Sequence, residues 1–268
     1  MDDINIDNRA RWNALARANV EYSRPFLDYT IEQAEAYVYR HGILKDVPGK
    51  RVLCLASGGG QDSVAFGLLG ADVTVFDLSD EQLVRDRQAA THHGLRTTTI
   101  QGDMRDLSIF PTNYFDIVWQ VYSINFVPDV DPVIRGVARV LKPQGVYFLQ
   151  FANPFVQSVD DESWNGSAYP LNHLYRDGED LTERFPDWDV EQADGSIFKV
   201  TSPHEYRHTL STMMNTMVTN GFVLAGLWEW IRPDKDPAPG SWAHFTQVAP
   251  PYLSTFWRLG KPSDNSSS

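Results

Sequence analysis

The run Arg51-Val52-Leu53-Cys54-Leu55 stops abruptly at Ala56-Ser57-Gly58-Gly59-Gly60, and Val64, Ala65, Leu68 and Leu69 then recur at helical spacing. The apolar run reads as a buried strand and the second pattern as a helix, joined by a glycine turn. Glycines let a backbone approach a ligand closely, because a Cβ would occupy the ligand's space. A second strand, Asp72-Val73-Thr74-Val75-Phe76, ends in Asp77, nineteen positions beyond Gly58. Open α/β sheets place at this distance the acid that accepts hydrogen bonds from a ribose diol, with the glycine turn at a helix N-terminus facing the rest of a nucleotide-like ligand.

The same alternation continues. Asp80 to His92 reads as helix, with Glu81 in its first turn and Gly94 just past its end. Strands are expected at 95–100, 115–119 and 145–151, with a helix over 130–141 stopped by Lys142-Pro143-Gln144-Gly145. The fold class is therefore α/β, a doubly wound and mostly parallel Rossmann-like sheet. A helix over 203–220, strands at 222–231 and 252–259 and a proline-rich loop over 232–240 predict seven strands in all, the last two closing one edge as an antiparallel hairpin. Residues 8–41 read as helix interrupted at Pro25. Residues 152–202 carry scattered aromatics (Phe155, Trp164, Tyr169, Tyr175, Phe185, Trp188) and many acids without a period, the character of a lid-like insertion rather than a disordered linker. The expected organisation is a helical cover over 1–45, a cofactor-binding core over 46–151, a substrate-binding insertion over 152–202, completing elements over 203–260, and a disordered tail over 261–268.

A net charge of −12 argues against a nucleic-acid partner, since phosphate binding needs a basic surface. The single cysteine, Cys54, precludes an internal disulfide and fits a reducing compartment; in mid-strand it reads as a buried thiol rather than a nucleophile. No apolar run approaches the ~18 residues needed to span a bilayer, and Met1-Asp2-Asp3-Ile4-Asn5 lacks the basic start of a secretion signal. A cytoplasmic protein, monomer or homodimer, is expected, with no membrane partner.

With these features in place the chain resembles the class I S-adenosylmethionine-dependent methyltransferases, in their small-molecule branch. The resemblance rests on the glycine turn, Val75-Phe76-Asp77-Leu78-Ser79, Gln101-Gly102-Asp103-Met104, Phe115-Asp116-Ile117-Val118, Ala138 to Gly145, and the segment from His208 to Phe222. It implies methyl transfer from S-adenosyl-L-methionine to an oxygen or nitrogen of a small-molecule acceptor, leaving S-adenosyl-L-homocysteine. It also implies that Ala56, Ser57, Gly58 and Gly60 lie against the methionine part of the cofactor, that Asp77 holds the ribose hydroxyls, and that Leu78 packs under the adenine. Gly102, Asp103 and the Met104 backbone nitrogen would face the adenine edge, and Trp119 to Ser123 would border the transfer site. The family's usual acid two residues before its first glycine has no counterpart, since those positions are Cys54 and Ala56. Gln61, Asp62 or a carbonyl near Gln120 is expected to anchor the cofactor's ammonium group instead, and Ala56 to demand a slightly wider turn.

The sulfonium carries its own activation, so such an enzyme mainly aligns a nucleophile and excludes water. Where the nucleophile must lose a proton, His204, His208, Tyr22 and Tyr122 are the candidate bases, the two histidines expected to share one face at the start of the 203–220 helix. Two other functions fit parts of the pattern: a protein that binds S-adenosylmethionine without transferring from it, and a nicotinamide-dependent oxidoreductase. The latter places its third glycine three residues after the second, where this chain has Ser63.

Overall fold

A computed structural model describes residues 2–20, 23–184, 186–191 and 195–260. Helices α1 (Asp3–Arg17) and α2 (Ile31–Val38) precede an alternating unit of β1 (Arg51–Leu55), α3 (Gln61–Leu68), β2 (Asp72–Asp77), α4 (Asp80–His92), β3 (Thr97–Gln101), β4 (Phe115–Val121), α5 (Asp131–Val140) and β5 (Leu141–Ala152). The chain ends through α6 (Leu210–Thr219), β10 (Phe222–Glu229), α7 (Trp242–Val248) and β11 (Tyr252–Leu259). One seven-stranded sheet runs β10-β11-β5-β4-β1-β2-β3. Strands β1 to β5 pair in parallel, whereas β11 is antiparallel to both β5 and β10.

The central strands are buried on both faces, which explains their unbroken apolar character. Leu53, Leu55 and Val118 face a layer completed by Val133, Ile134 and Val137 of α5 and Met213 and Met217 of α6. Val52, Cys54, Ile117 and Trp119 face the opposite layer, with Ala65 and Phe66 of α3 and Ala34 and Val38 of α2. The Met213 and Met217 side chains are thus core. The strand order reverses between β1 and β4, so the carboxyl ends of these two strands open the crevice where doubly wound sheets bind ligands.

Between β5 and α6 lie two small sheets, β6 (Glu179–Asp180) with β9 (Tyr206–Arg207) and a hairpin of β7 (Asp187–Glu191) with β8 (Ile197–Thr201). Val190 and Val200 of that hairpin pack with Leu15 and Val20, joined by Trp12 and Trp188. The N-terminal helix and part of the insertion therefore share an apolar cluster separate from the main core.

Two local expectations change. The helix expected from residue 203 begins at Leu210, because the Thr209 side chain caps it by accepting from the Thr212 amide, and Tyr206–Arg207 is drawn into a strand opposite β6. Helix α1 starts at Asp3, capped by the Asp2 carboxylate, which accepts from the Asn5 amide. Helix α7, capped by Ser241, follows the loop expected over 232–240, in a stretch for which the sequence carried no expectation, so it adds an element rather than changing one. No helix among the described residues is long and apolar enough to cross a membrane, and residues 261–268 lie outside the described residues.

Candidate active site

The turn after β1 runs through positive φ at four of its five residues, Ala56, Gly58, Gly59 and Gly60 among Ala56 to Gly60. Ala56 itself takes a positive φ of 49°, and its amide donates to the Phe76 carbonyl at 2.7 Å. Alanine rarely adopts this conformation, and here the β1–β2 ladder continues through it. Gly58 and Gly60 follow at φ 45° and 89°. A Cβ on Gly60 would stand 2.7 Å from the Ala89 Cβ of α4, so this glycine also lets two helices pack closely. Gly102 leaves room for the Phe76 ring, whose nearest atom would lie 2.1 Å from a Cβ there. Within the turn, the Ser57 hydroxyl is buried with no hydrogen-bond partner.

Three buried carboxylates surround this turn. Asp77, at the end of β2, accepts from the Ser79 amide at 2.8 Å. Burial pushes its carboxyl up to about 6, against the pull of amides from Ser79, Gly58 and Leu78. Asp62, in the first turn of α3, accepts from the Tyr37 hydroxyl at 2.6 Å and the Trp119 indole at 3.1 Å, both on Oδ1. Burial also pushes it up to about 6, opposed by Tyr37 and by the Arg40 guanidinium, which stacks 4.5 Å over the Tyr37 ring. Asp86 of α4 takes the Ser63 hydroxyl at 2.6 Å on Oδ1, while its Oδ2 is buried without a partner. Burial, then the negative charge of Asp77 and Asp62, pushes it up to about 7. None of the three forms an ion pair among the described residues. Cys54 is fully buried in β1, and burial together with the charges of Asp62 and Asp86 pushes its thiol well up.

Helix α1 lies across the carboxyl ends of the strands on a row of asparagines. Asn5 donates to Asp103 at 2.5 Å, Asn8 to the Phe126 carbonyl at 3.1 Å, and Asn13 accepts from the Ser79 hydroxyl at 2.6 Å. Arg105 clamps Asp103 at 2.9 Å and Asp2 at 2.8 Å. The Asp103 carboxylate is therefore engaged in docking α1. Leu78, next to Asp77 just past the end of β2, is half-buried. Gln120 is fully buried, its amide donating to Ser123 at 3.0 Å and to the Met104 sulfur at 3.3 Å, its oxygen accepting from Tyr147 at 2.5 Å.

Just beyond β4, Tyr122 adopts φ 58° and its hydroxyl donates to Glu205 at 2.6 Å. The two histidines do not share a helix face. His208 is buried, bonded through Nε2 to the Val127 carbonyl at 2.9 Å, and burial lowers its pKa. The His204 ring stands 3.3 Å from Asp7 and 4.0 Å from Asp180. Both rings are thus spent on holding elements together. Tyr22 lies outside the described residues.

Residues 53–149 match the family model of a methyltransferase domain. The chain is 33% identical over 241 residues to the uncharacterized methyltransferase YbaJ of Bacillus subtilis (strain 168), with 85% of this chain and 91% of that protein aligned. It belongs to the class I S-adenosylmethionine-dependent methyltransferases. Solved structures agree in fold. An S-adenosylmethionine-dependent methyltransferase from Mesorhizobium loti superposes with a TM-score of 0.58 at 22% identity, over 85% of this chain and all of that one. One from Clostridium acetobutylicum gives 0.61 at 16% identity, over 93% and 96%. A ubiquinone biosynthesis O-methyltransferase of Xanthomonas oryzae pv. oryzae is 39% identical, but over 113 residues that make up 40% of this chain and 45% of that enzyme.

The methyltransferase thus uses S-adenosylmethionine as its methyl donor, and the readings as a nicotinamide oxidoreductase or a non-transferring binder give way. The groups around the turn fit that donor. Its sulfonium and ammonium charges match three buried carboxylates that lack a paired cation, and its polar methionine end matches the unpartnered Ser57 hydroxyl. Asp86, Glu205 and the α1 asparagines were not singled out from sequence. Asn5, Asn8 and Asn13 carry a partial signal, since Asn8 at three and Asn13 at eight positions from Asn5 each lie within about a quarter turn of it around the helix. Asp86 and Glu205 carry none, because both depend on partners distant in the chain.

Proposed function

We propose that this methyltransferase acts on an oxygen or nitrogen of a small-molecule acceptor enclosed beneath α1 and the 152–202 insertion. In this reading Asp77 holds the ribose diol, the backbone of Ala56 to Gly60 lies along the methionine part, and Asp62 takes the ammonium group that the family's missing strand acid would take. Leu78, Gly102, Asp103 and Met104 border the adenine, and Gln120 closes the floor between β1 and β4. The supporting observation is the covered crevice: Trp12 of α1 packs edge-on against Phe126 beyond β4 at 5.1 Å and against Trp188 of the insertion at 5.6 Å. Such a cover suits a small acceptor and excludes water from the transfer, whereas a polymer would need an open, basic groove; the net charge is −12.

When bound, the cofactor supplies an electrophilic methyl group on sulfonium sulfur. The chain's own residues bind, orient and shield. The relatives matched over less than half their length include both O- and C-methyltransferases of quinone biosynthesis, so the shared span serves the donor and leaves the acceptor to the parts of this chain outside it. Calorimetry checks the donor half, with S-adenosylhomocysteine binding and NAD not. A panel of radiolabelled transfers to hydroxylated and amino-bearing small molecules, against bulk RNA and protein, checks the acceptor half; methylation of a macromolecule alone defeats it.

A further inference from the structure

At the pole of the sheet opposite the glycine turn, the amino ends of β1, β4 and β5 border a cavity of about 450 Å³. A local fault in the β4–β5 ladder shapes it. Phe115 pairs with Leu141 and Ile117 with Val146, so Lys142 to Gly145 bow out opposite Asp116. The bow is held in place. Gln144 takes a left-handed φ of 65°, and its amide nitrogen donates to the Leu259 carbonyl at 3.1 Å. Gly145 admits no side chain, since a Cβ there would stand 2.8 Å from the Lys142 carbonyl oxygen. Lys142 reaches back to both Asp116 oxygens at 2.8 Å, and the Arg51 amide donates to the same carboxylate at 3.0 Å. The segment ahead of β1 forms the facing wall, where the Arg258 guanidinium of β11 donates to the Ile43 carbonyl at 3.5 Å.

The charge of this cavity is opposite to that of the protein. Its lining holds four cations, Lys45, Lys50, Lys142 and Arg258, against two carboxylates, Asp46 and Asp116, in a chain of net charge −12. Lys142 is taken by Asp116, and Lys50 lies 3.8 Å from Asp46. Lys45 and Arg258, both exposed, have no carboxylate within ion-pair reach among the described residues. Behind these charges the lining is apolar, with Leu44, Ile117 and Val146 all buried. We propose that the cavity binds a small organic phosphate monoester, its phosphate on Lys45 and Arg258 and its apolar body on the Leu44, Ile117 and Val146 wall. Two uncompensated cations match a phosphate that carries roughly −1.5 to −2 at neutral pH, whereas a carboxylate would leave one of them unmatched. The planar fork of Arg258 suits two phosphate oxygens, and Lys45 adds a point charge. The volume falls within the range of about 300–1,000 Å³ typical of small-ligand pockets. This ligand and the methyl donor occupy opposite ends of the same strands, so the second site stands independently of how the donor and the acceptor are held.

Phenyl phosphate and inorganic phosphate test this, each titrated by phosphorus NMR into full-length protein saturated with S-adenosylhomocysteine, which fills the donor site. Phenyl phosphate should bind saturably, at least about threefold more tightly than inorganic phosphate because its ring meets the apolar wall, and more weakly as salt is raised. The double variant Lys45→Gln, Arg258→Gln should weaken its binding at least about tenfold. Lys235→Gln, which removes an exposed charge from the loop after β10, should leave it unchanged. Calorimetric affinity for S-adenosylhomocysteine should stay within about twofold in both variants, which shows that they fold and that the two sites are separate. No saturable binding of phenyl phosphate up to ~10 mM overturns the site, as does undiminished binding by the double variant. Equal affinity for the two probes overturns the organic class. Binding that appears only when S-adenosylhomocysteine is left out would place the probe in the donor crevice and overturn the proposal as well.

Discussion

The Tyr37 hydroxyl on the N-terminal helix α2 donates to Oδ1 of Asp62 at 2.6 Å, at the first turn after the glycines. With Trp119 on the same oxygen at 3.1 Å, the carboxylate is oriented before any ligand arrives. This preorganisation supports its role as the substitute ammonium anchor. Asp62→Asn should lower affinity for S-adenosylhomocysteine about tenfold, the loss expected of one hydrogen bond to a charged group. Affinity for 5′-methylthioadenosine, which lacks the amino-acid end, should not change. Calorimetry on both ligands checks this, and equal losses for the two would remove Asp62 from the ammonium site.

Asp77 is the ribose acid of the proposed site. Asp77→Asn keeps its shape and the contacts to Gly58, Leu78 and Ser79 in outline, but weakens two charge-assisted bonds worth about 1.5–3 kcal/mol each. Affinity for S-adenosylhomocysteine should fall at least about thirtyfold with the melting temperature little altered. A folded variant that binds like wild type would exclude Asp77.

Asp86 gives a pH signature. Its folded pKa of about 7 lies above the ordinary carboxylate value of 3.8, so the native state holds a proton that the unfolded chain releases. Its contribution to stability is full below pH 4 and is lost as pH rises toward 7, by up to about 1.4 kcal/mol per pH unit. Asp77 and Asp62, both near 6, act in the same direction. His208, lowered by burial, acts oppositely below its ordinary value of 6.5. The difference between Asp86→Asn and wild type isolates the single group: the variant should gain relative stability at pH 8 and lose that advantage at pH 5. Parallel melting curves against pH would show that Asp86 titrates alike in both states.

The cover should open for exchange of donor and product. Asn5, Asn8 and Asn13 hold α1 to Asp103, Phe126 and Ser79 by hydrogen bonds that exchange readily with water, and the ion pairs Arg9–Asp80, Arg17–Glu81 and Arg105–Asp2 beside them are solvent-screened at the surface. Amide hydrogen exchange over residues 2–20 and 195–205 should slow when S-adenosylhomocysteine is added. Unchanged protection would make both segments fixed scaffold.

Much of the fold follows from local pattern. The strand from Arg51 to Leu55, the glycine turn, the helix from Asp80 to His92 and the strand from Tyr252 to Leu259 stand where periodicity and caps place them, because each depends on neighbours within one turn or one strand length. Ala56 shows where local reasoning stops: alanine by type disfavours a positive φ, yet the residue takes one where the β1–β2 ladder runs on into the turn.

By itself the sequence determined the α/β order, the buried central strands, the glycine turn with Asp77 and, through the resemblance, the methyl donor. Tertiary structure decided which side chains meet. Tyr37 reaches Asp62, Asp86 faces Ser63, and Glu205 reaches Tyr122 across 83 positions of sequence. It also withdrew His204 and His208 from a shared helix face, since Thr209 caps α6 one residue after His208 and Tyr206–Arg207 pairs into a strand. The physical reason is the range of the forces: hydrophobic periodicity and caps act within a few residues, whereas desolvation and long-range hydrogen bonds exist only once distant segments have been packed together.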